Sequence, residues 1–197
     1  EPEIGTIVIK TEGDPAPVLA LDRWLHAYRE HWLVREIVHF IKRTLKRLDL
    51  TSRSLFAVVE PGSCFAGSLF ELALASDRIY MLNDPDRPNT VALSPMNAGM
   101  LPMGNGLSRL QARFYAEPDR PEELLARGGH FTAADALECG LVSFAPDDLD
   151  WDDEVRLAVE ERASLSPDAL TAMEANLRLV GPETMETKIF GRLTAWQ

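Results

Sequence analysis

The sequence has 197 residues, 46% hydrophobic and 26% charged, ordinary values for one globular domain with a sizeable core. Disordered, collagen-like and low-complexity classes are thereby excluded. With 20 Lys+Arg against 31 Asp+Glu, the formal charge is -11 and the pI near 4.8, a field that repels polyanions and makes nucleic acid and anionic membrane poor partners.

Glu1-Pro2-Glu3 is acidic and leads straight into a strand pattern, unlike the basic and then apolar start of a signal peptide. The pattern begins without an initiator methionine and stops at Trp196-Gln197 after an amphipathic helix, so the sequence is expected to be a piece of a longer chain. Ile4 to Lys10, rich in β-branched residues and closed by Gly13-Asp14-Pro15, predicts a buried parallel strand followed by a turn. From Asp22 to about Asp49 apolar residues recur at helical spacing through Leu25, Trp32, Ile41 and Leu45, predicting a long amphipathic helix, bent once, with a basic end.

Leu55 to Val59 reads as a short apolar strand that Pro61-Gly62-Ser63 breaks, and Gly67-Ser68 opens a second helix running through Glu71 to Ala75. Asp77 to Leu82 returns to strand, and Asn83 to Pro95, with three prolines and neither period, reads as a long loop. A helix is expected from near Leu107, and another from Thr132 with Gly140 as its C-cap residue. Leu141 to Phe144 reads as a last short strand, and the chain is helical from Asp147 on, including Pro167 to Leu179. Alternating strands and helices imply an α/β layer fold with parallel strands.

No apolar run approaches the ~18 residues that span a bilayer. Cys64 and Cys139 lie far apart without metal-ligand spacing and read as reduced thiols of a cytoplasmic protein. His26, His31 and His39 share one helix but not the i, i+4 spacing that puts two metal ligands on one face, and the acidic Asp147–Glu154 run lacks the glycine and alternation of a calcium loop. Neither suggests a metal site. Lys42, Arg43, Lys46 and Arg47 read as the solvated basic end of a helix.

The informative stretch runs from Leu55 to Arg78. A strand, a small-residue turn and a helix with an early carboxylate place backbone N–H groups at a helix N-terminus, where negative charge is stabilised. Such preorganised donors lower the energy of an enolate oxygen by roughly 3 kcal/mol each. Glu71 is then a candidate acid/base, or else a first-turn carboxylate favoured by the helix dipole.

These residues resemble the enoyl-CoA hydratase/isomerase (crotonase) superfamily, whose pattern of glycines followed by x-E-L-x-x-x-x-D falls in register with Gly67, Glu71-Leu72 and Asp77. Gly99-Met100-Leu101-Pro102 through Gly106, Arg109 and Leu110, and Thr132-Ala133-Ala134-Asp135-Ala136 with Gly140-Leu141-Val142, resemble two further blocks in the same order. Upstream, Gly13 to Asp22 resembles the loop that carries an oxyanion donor. The resemblance implies a crotonase-like ββα spiral core over residues 1–145, lacking its first strands, and a C-terminal helical region over 146–197. It further implies an oxyanion hole from the backbone N–H groups of Leu21 and Ser68, with Glu71 as first acid/base. Burial among Phe65, Leu69, Phe70 and Leu72 is expected to raise the Glu71 pKa.

Two departures matter. Gly67-Ser68-Leu69 replaces three glycines, and Pro95 stands where the family has its second catalytic glutamate. Asp22 to Trp32 and Glu60 to Ser68 resemble ring-opening lyases of the superfamily rather than its hydratases. That likeness implies opening of 2,3-epoxybenzoyl-CoA, or its dihydrodiol, without metal or redox cofactor, in a cytoplasmic homodimer. Asp22, Arg23, Trp24 and Gly67 would contact substrate or CoA, Cys64 would assist in the turn, and Asp84 and Asp86 are further carboxylates in the long loop. Alternatives are another acyl-CoA hydratase or isomerase and a non-catalytic dimerisation module.

Overall fold

In the computed structural model, which describes residues 4–186, the apolar run around Phe56 forms the centre of a parallel sheet. The sheet orders β1 (Thr6–Ile9), β2 (Ser54–Val59) and β3 (Arg78–Met81), with Ile9 opposite Ala57 and Ala57 opposite Ile79. Every residue of β2 is buried, as a strand covered on both faces must be. Alternation sends Ala57 and Val59 into a core with Phe65, Phe70 and Phe131, and Phe56 and Val58 into another with Tyr80 and Trp151. β1 departs from the buried strand expected of it. Among the described residues it pairs only with β2, and Ile7 and Val8 are each 40% exposed.

The long helix expected over 22–49 is two helices, and the first begins earlier. Asp14 accepts the Ala16 N–H and Pro15 opens the first turn, so α1 (Pro15–Ala27) starts where the sequence suggested a turn. Tyr28 closes it by donating to the Trp24 carbonyl, and an extended His31 precedes α2 (Trp32–Asp49). Val34, Val38 and Leu45 of α2 pack with Leu25, Met96 and Leu101 into a separate apolar cluster. The next helix, α3 (Gly67–Leu74), is covered by both this cluster and the central core through Leu72.

The segment read as a long loop contains β4 (Val91–Ala92), which pairs antiparallel with β5 (His130–Phe131), and ends in a 3-10 turn at Pro95–Asn97. Beyond it come α4 (Arg109–Arg113), α5 (Arg120–Arg127) and α6 (Ala133–Glu138). Gly140, at φ 78°, ends α6 as expected. Leu141 to Phe144 is not a strand: the N–H groups of Ser143 and Phe144 converge on one carbonyl, that of Ile79, which breaks the alternation of a ladder.

Across the sheet, α7 (Trp151–Ala163) sets Trp151 and Ala158 against Phe56 and Val58. α8 (Pro167–Leu177) is tied to the sheet by the Ser54 hydroxyl donating to Glu174 (2.7 Å) and by Arg178, which reaches Glu174 and Asp77. The helix expected before Trp196-Gln197 lies outside the described residues. Among the described residues, no helix is long and apolar enough to cross a membrane.

Candidate active site

The start of α3 follows from its local sequence. After β2 the Ser63 hydroxyl accepts the Glu60 N–H and Thr11 accepts the Cys64 N–H, which folds the turn tightly and delivers Ala66 as the N-cap. Gly67 comes next at φ 48°, a left-handed conformation that glycine adopts without steric cost. A Cβ there would lie 1.9 Å from an oxygen of Asp22, so the site also needs the missing side chain for room.

That oxygen, Asp22 Oδ2, receives the Ser68 N–H at 2.6 Å and the Ser94 hydroxyl at 2.7 Å. One carboxylate oxygen thus sits where the first N–H groups of a helix favour negative charge. Asp22 is fully buried, and its Oδ1 has no hydrogen-bond partner. Ser94 is in turn fixed by Asn97, whose Oδ1 accepts the Ser94 N–H and whose amide donates to the Gly67 carbonyl and to Glu71 Oε1 at 2.7 Å.

Glu71 continues this buried polar seam. Its Oε2 takes Arg109 Nη1 at 3.0 Å, while Arg109 Nη2 holds both oxygens of Asp49 at 2.9 and 2.8 Å. All three side chains are buried. Burial raises the Glu71 carboxyl above its ordinary range, as expected, with the Arg109 charge and the Asn97 and Arg109 hydrogen bonds acting in the opposite sense.

A cleft of about 490 Å³ opens between α1, α2 and α3, lined among others by Leu21, Phe40, Ile41, Ser68, Leu69 and Leu72. Its walls are almost wholly apolar, and Ser68 stands at the start of α3. Residues 68, 69 and 72 line the cleft, whereas Glu71 does not, its two oxygens being held by Asn97 and Arg109. The structure therefore joins Ser68 to the cleft but turns Glu71 from it.

Other expected residues fall as follows. Leu21 is a correction: it lies inside α1, where an N–H is committed to the carbonyl about four residues back, and what it offers the cleft is its side chain. Asp22 and Gly67 are buried beneath the start of α3. Arg23 is exposed on α1, and Trp24, 48% exposed, stands 5.3 Å from the Tyr28 ring. Cys64 is buried with its sulfur facing Gly13, away from the residues lining the cleft. Asp84 is held by Arg87 at 2.7 Å, which keeps its carboxyl below the ordinary range, and Asp86 is exposed.

Pro95, at the position where the resemblance has a second glutamate, opens the 3-10 turn that Ser94 and Asn97 cap. Sequence reasoning missed both residues. A serine before a proline, with asparagine three residues after the serine, is a capping signature that marks them.

No protein-family model matches the chain. Over 196 residues, 99% of its length, it is 55% identical to the benzoyl-CoA-dihydrodiol lyase of Aromatoleum evansii, and it spans 35% of that protein. Among solved structures, an enoyl-CoA hydratase/isomerase from Cupriavidus metallidurans CH34 superposes with a TM-score of 0.66 at 21% identity, covering 97% of this chain and 69% of the other. The chain has the crotonase fold. The enoyl-CoA hydratase of Bacillus anthracis shares it too, with a TM-score of 0.63 at 20% identity over 84% of this chain and 61% of the other. Within that fold the blocks around Glu71, Arg109 and Gly140 occupy α3, α4 and the end of α6, so the three stretches that carried the resemblance pack around one core.

Proposed function

We propose that this chain carries the thioester-polarising site of a lyase that opens an aromatic ring bound as a coenzyme A thioester. The observation that carries the reading is the meeting of the Ser68 N–H and the Ser94 hydroxyl on one oxygen position at the start of α3, beside an apolar cleft of ring-accepting size. The 55% identity to a benzoyl-CoA-dihydrodiol lyase supports the choice of an aromatic acyl group.

The chemistry needs such a site. Breaking a ring carbon–carbon bond leaves a carbanion that delocalises into the thioester, so charge arrives on the carbonyl oxygen, where each oriented donor is worth roughly 3 kcal/mol. Ser94 supplies the second donor in place of the Leu21 N–H. The cleft side chains Phe40, Ile41 and Leu69 would hold the ring. The substrate in this reading is 2,3-epoxybenzoyl-CoA or its dihydrodiol, opened with water to 3,4-dehydroadipyl-CoA semialdehyde and formate, in a cytoplasmic homodimer that uses no metal or redox cofactor.

Glu71 acts here as a positioning residue that ties α3 to α4 and α2 through Arg109 and Asp49. A second reading makes it the proton carrier, favoured by the burial that raises its pKa and by the neutral Asn97 partner of Oε1, the easier oxygen to release. Glu71→Gln separates the two: lost turnover with retained thioester binding supports proton transfer, whereas parallel loss of turnover and thioester binding supports positioning.

The proposal is tested by formate release from 2,3-epoxybenzoyl-CoA by the intact gene product, with crotonyl-CoA hydration in parallel. Formate with little hydration is expected. Hydration without formate would make the lyase reading wrong and leave a hydratase of the same fold.

A further inference from the structure

Two independent features meet at the start of α3. Asp22 is fully buried, fills the position between the Ser68 N–H and the Ser94 hydroxyl with one oxygen, and leaves the other without a partner. No ion pair reaches it among the described residues, so the buried carboxyl is held by neutral donors on one oxygen and by none on the other. The second feature is mechanical. Of the thirteen residues of α1 only Asp22 and Leu25 are buried, and α1 supplies Pro17, Val18 and Leu21 to the wall of the apolar cleft.

We propose that Asp22 is a latch: its carboxylate occupies the oxyanion position in the free chain, and an entering thioester carbonyl displaces it and releases α1 from the cleft. The inference rests on the reading of Ser68 as the polarising donor. One N–H and one hydroxyl cannot serve two oxygens at full strength, so ligand and latch compete for the same bonds. Because Asp22 sits in the middle of a helix, its withdrawal carries α1 with it and widens the cleft wall that Leu21 forms. Gly67 is what lets the latch seat, since any Cβ there would strike Asp22. The unpartnered oxygen makes the latched state easy to leave, and the departing carboxylate gains water.

The test is titration of the full chain with benzoyl-CoA and, separately, with coenzyme A, which has no thioester carbonyl, for the unaltered chain and Asp22→Asn. The amide lacks the charge that competes for the site, so Asp22→Asn is expected to bind benzoyl-CoA roughly tenfold more tightly with coenzyme A affinity unchanged. Preference for benzoyl-CoA over coenzyme A by the unaltered chain, with no gain in the folded variant, would overturn the latch alone. No preference in either protein would overturn the Ser68 reading and the latch with it. Should the variant fail to fold, hydrogen exchange of the unaltered chain decides: benzoyl-CoA is expected to speed exchange over 15–27 while slowing it over 67–74, and unchanged exchange in 15–27 would contradict the latch.

Discussion

Two buried carboxylates flank α3, and they are held in opposite ways. Glu71 has a partner on each oxygen and shares a buried arginine with Asp49, so its charge is compensated and its geometry closed on every side. Asp22, at the N-terminal end of the same helix, has only neutral donors on one oxygen and none on the other. The difference teaches that burial of a carboxylate does not by itself mark a catalyst. A complete network resists exchange and holds the fold, whereas an incomplete one beside a cleft leaves a place that a ligand oxygen can take.

The strongest way to break the comparison is to remove its cation. Arg109→Ala leaves Glu71 and Asp49 buried without a counter-charge and is expected to lower unfolding free energy by about 3–5 kcal/mol, read from urea midpoints. A loss under about 1 kcal/mol would mean that the network relaxes to water and that Glu71 is not locked. Gly67→Ala comes next, at about 2–4 kcal/mol, because it combines a positive φ with a side chain driven into Asp22. A neutral outcome there would contradict the close seating of Asp22.

Glu71→Gln is smaller, about 1–3 kcal/mol, since an amide donor then faces the Asn97 amide donor and one of them goes unmet.

A third carboxylate sharpens the contrast through pH. Burial raises Asp77 from 3.8 to about 6, against the Leu55 N–H and the Arg178 charge. A carboxyl raised in the folded state binds its proton more tightly there, so its contribution is complete below about pH 3.8 and is lost as pH rises through about 6. Urea midpoints are expected to fall between pH 4 and 6.5, and less so in Asp77→Asn. The smallest effect belongs to the exposed pairs of Arg156 with Asp153 and Glu160, where Arg156→Ala should leave the midpoint unchanged within error.

The parts legible in the sequence are those that local pattern encodes. The β2, turn, α3 and β3 succession follows from one apolar run, one small-residue turn and one largely apolar octet, and the Gly140 stop follows from the need for a left-handed residue. Asp14-Pro15 is a helix-start signature as well as a turn signal, and reading it only as a turn placed Leu21 in a loop and gave it a free N–H it does not have. β4 and β5 are two residues each, too short for any period to register. The contacts that define the site escaped for a different reason. Arg109 meets Asp49 and Glu71, and Asp22 meets Ser94, across separations no local pattern spans. Arg109 and Glu71 were each visible as part of a family block, but their pairing and the part of Asp49 in it were not.

The central claim is that the Ser68 N–H and the Ser94 hydroxyl polarise a thioester carbonyl. It is tested most directly by the infrared difference spectrum of benzoyl-CoA carrying carbon-13 at the thioester carbonyl, bound to the unaltered chain and to Asp22→Asn. The account predicts a carbonyl stretch below its aqueous frequency in the complex, lower still in Asp22→Asn. A bound carbonyl at or above the aqueous frequency in both proteins would contradict it.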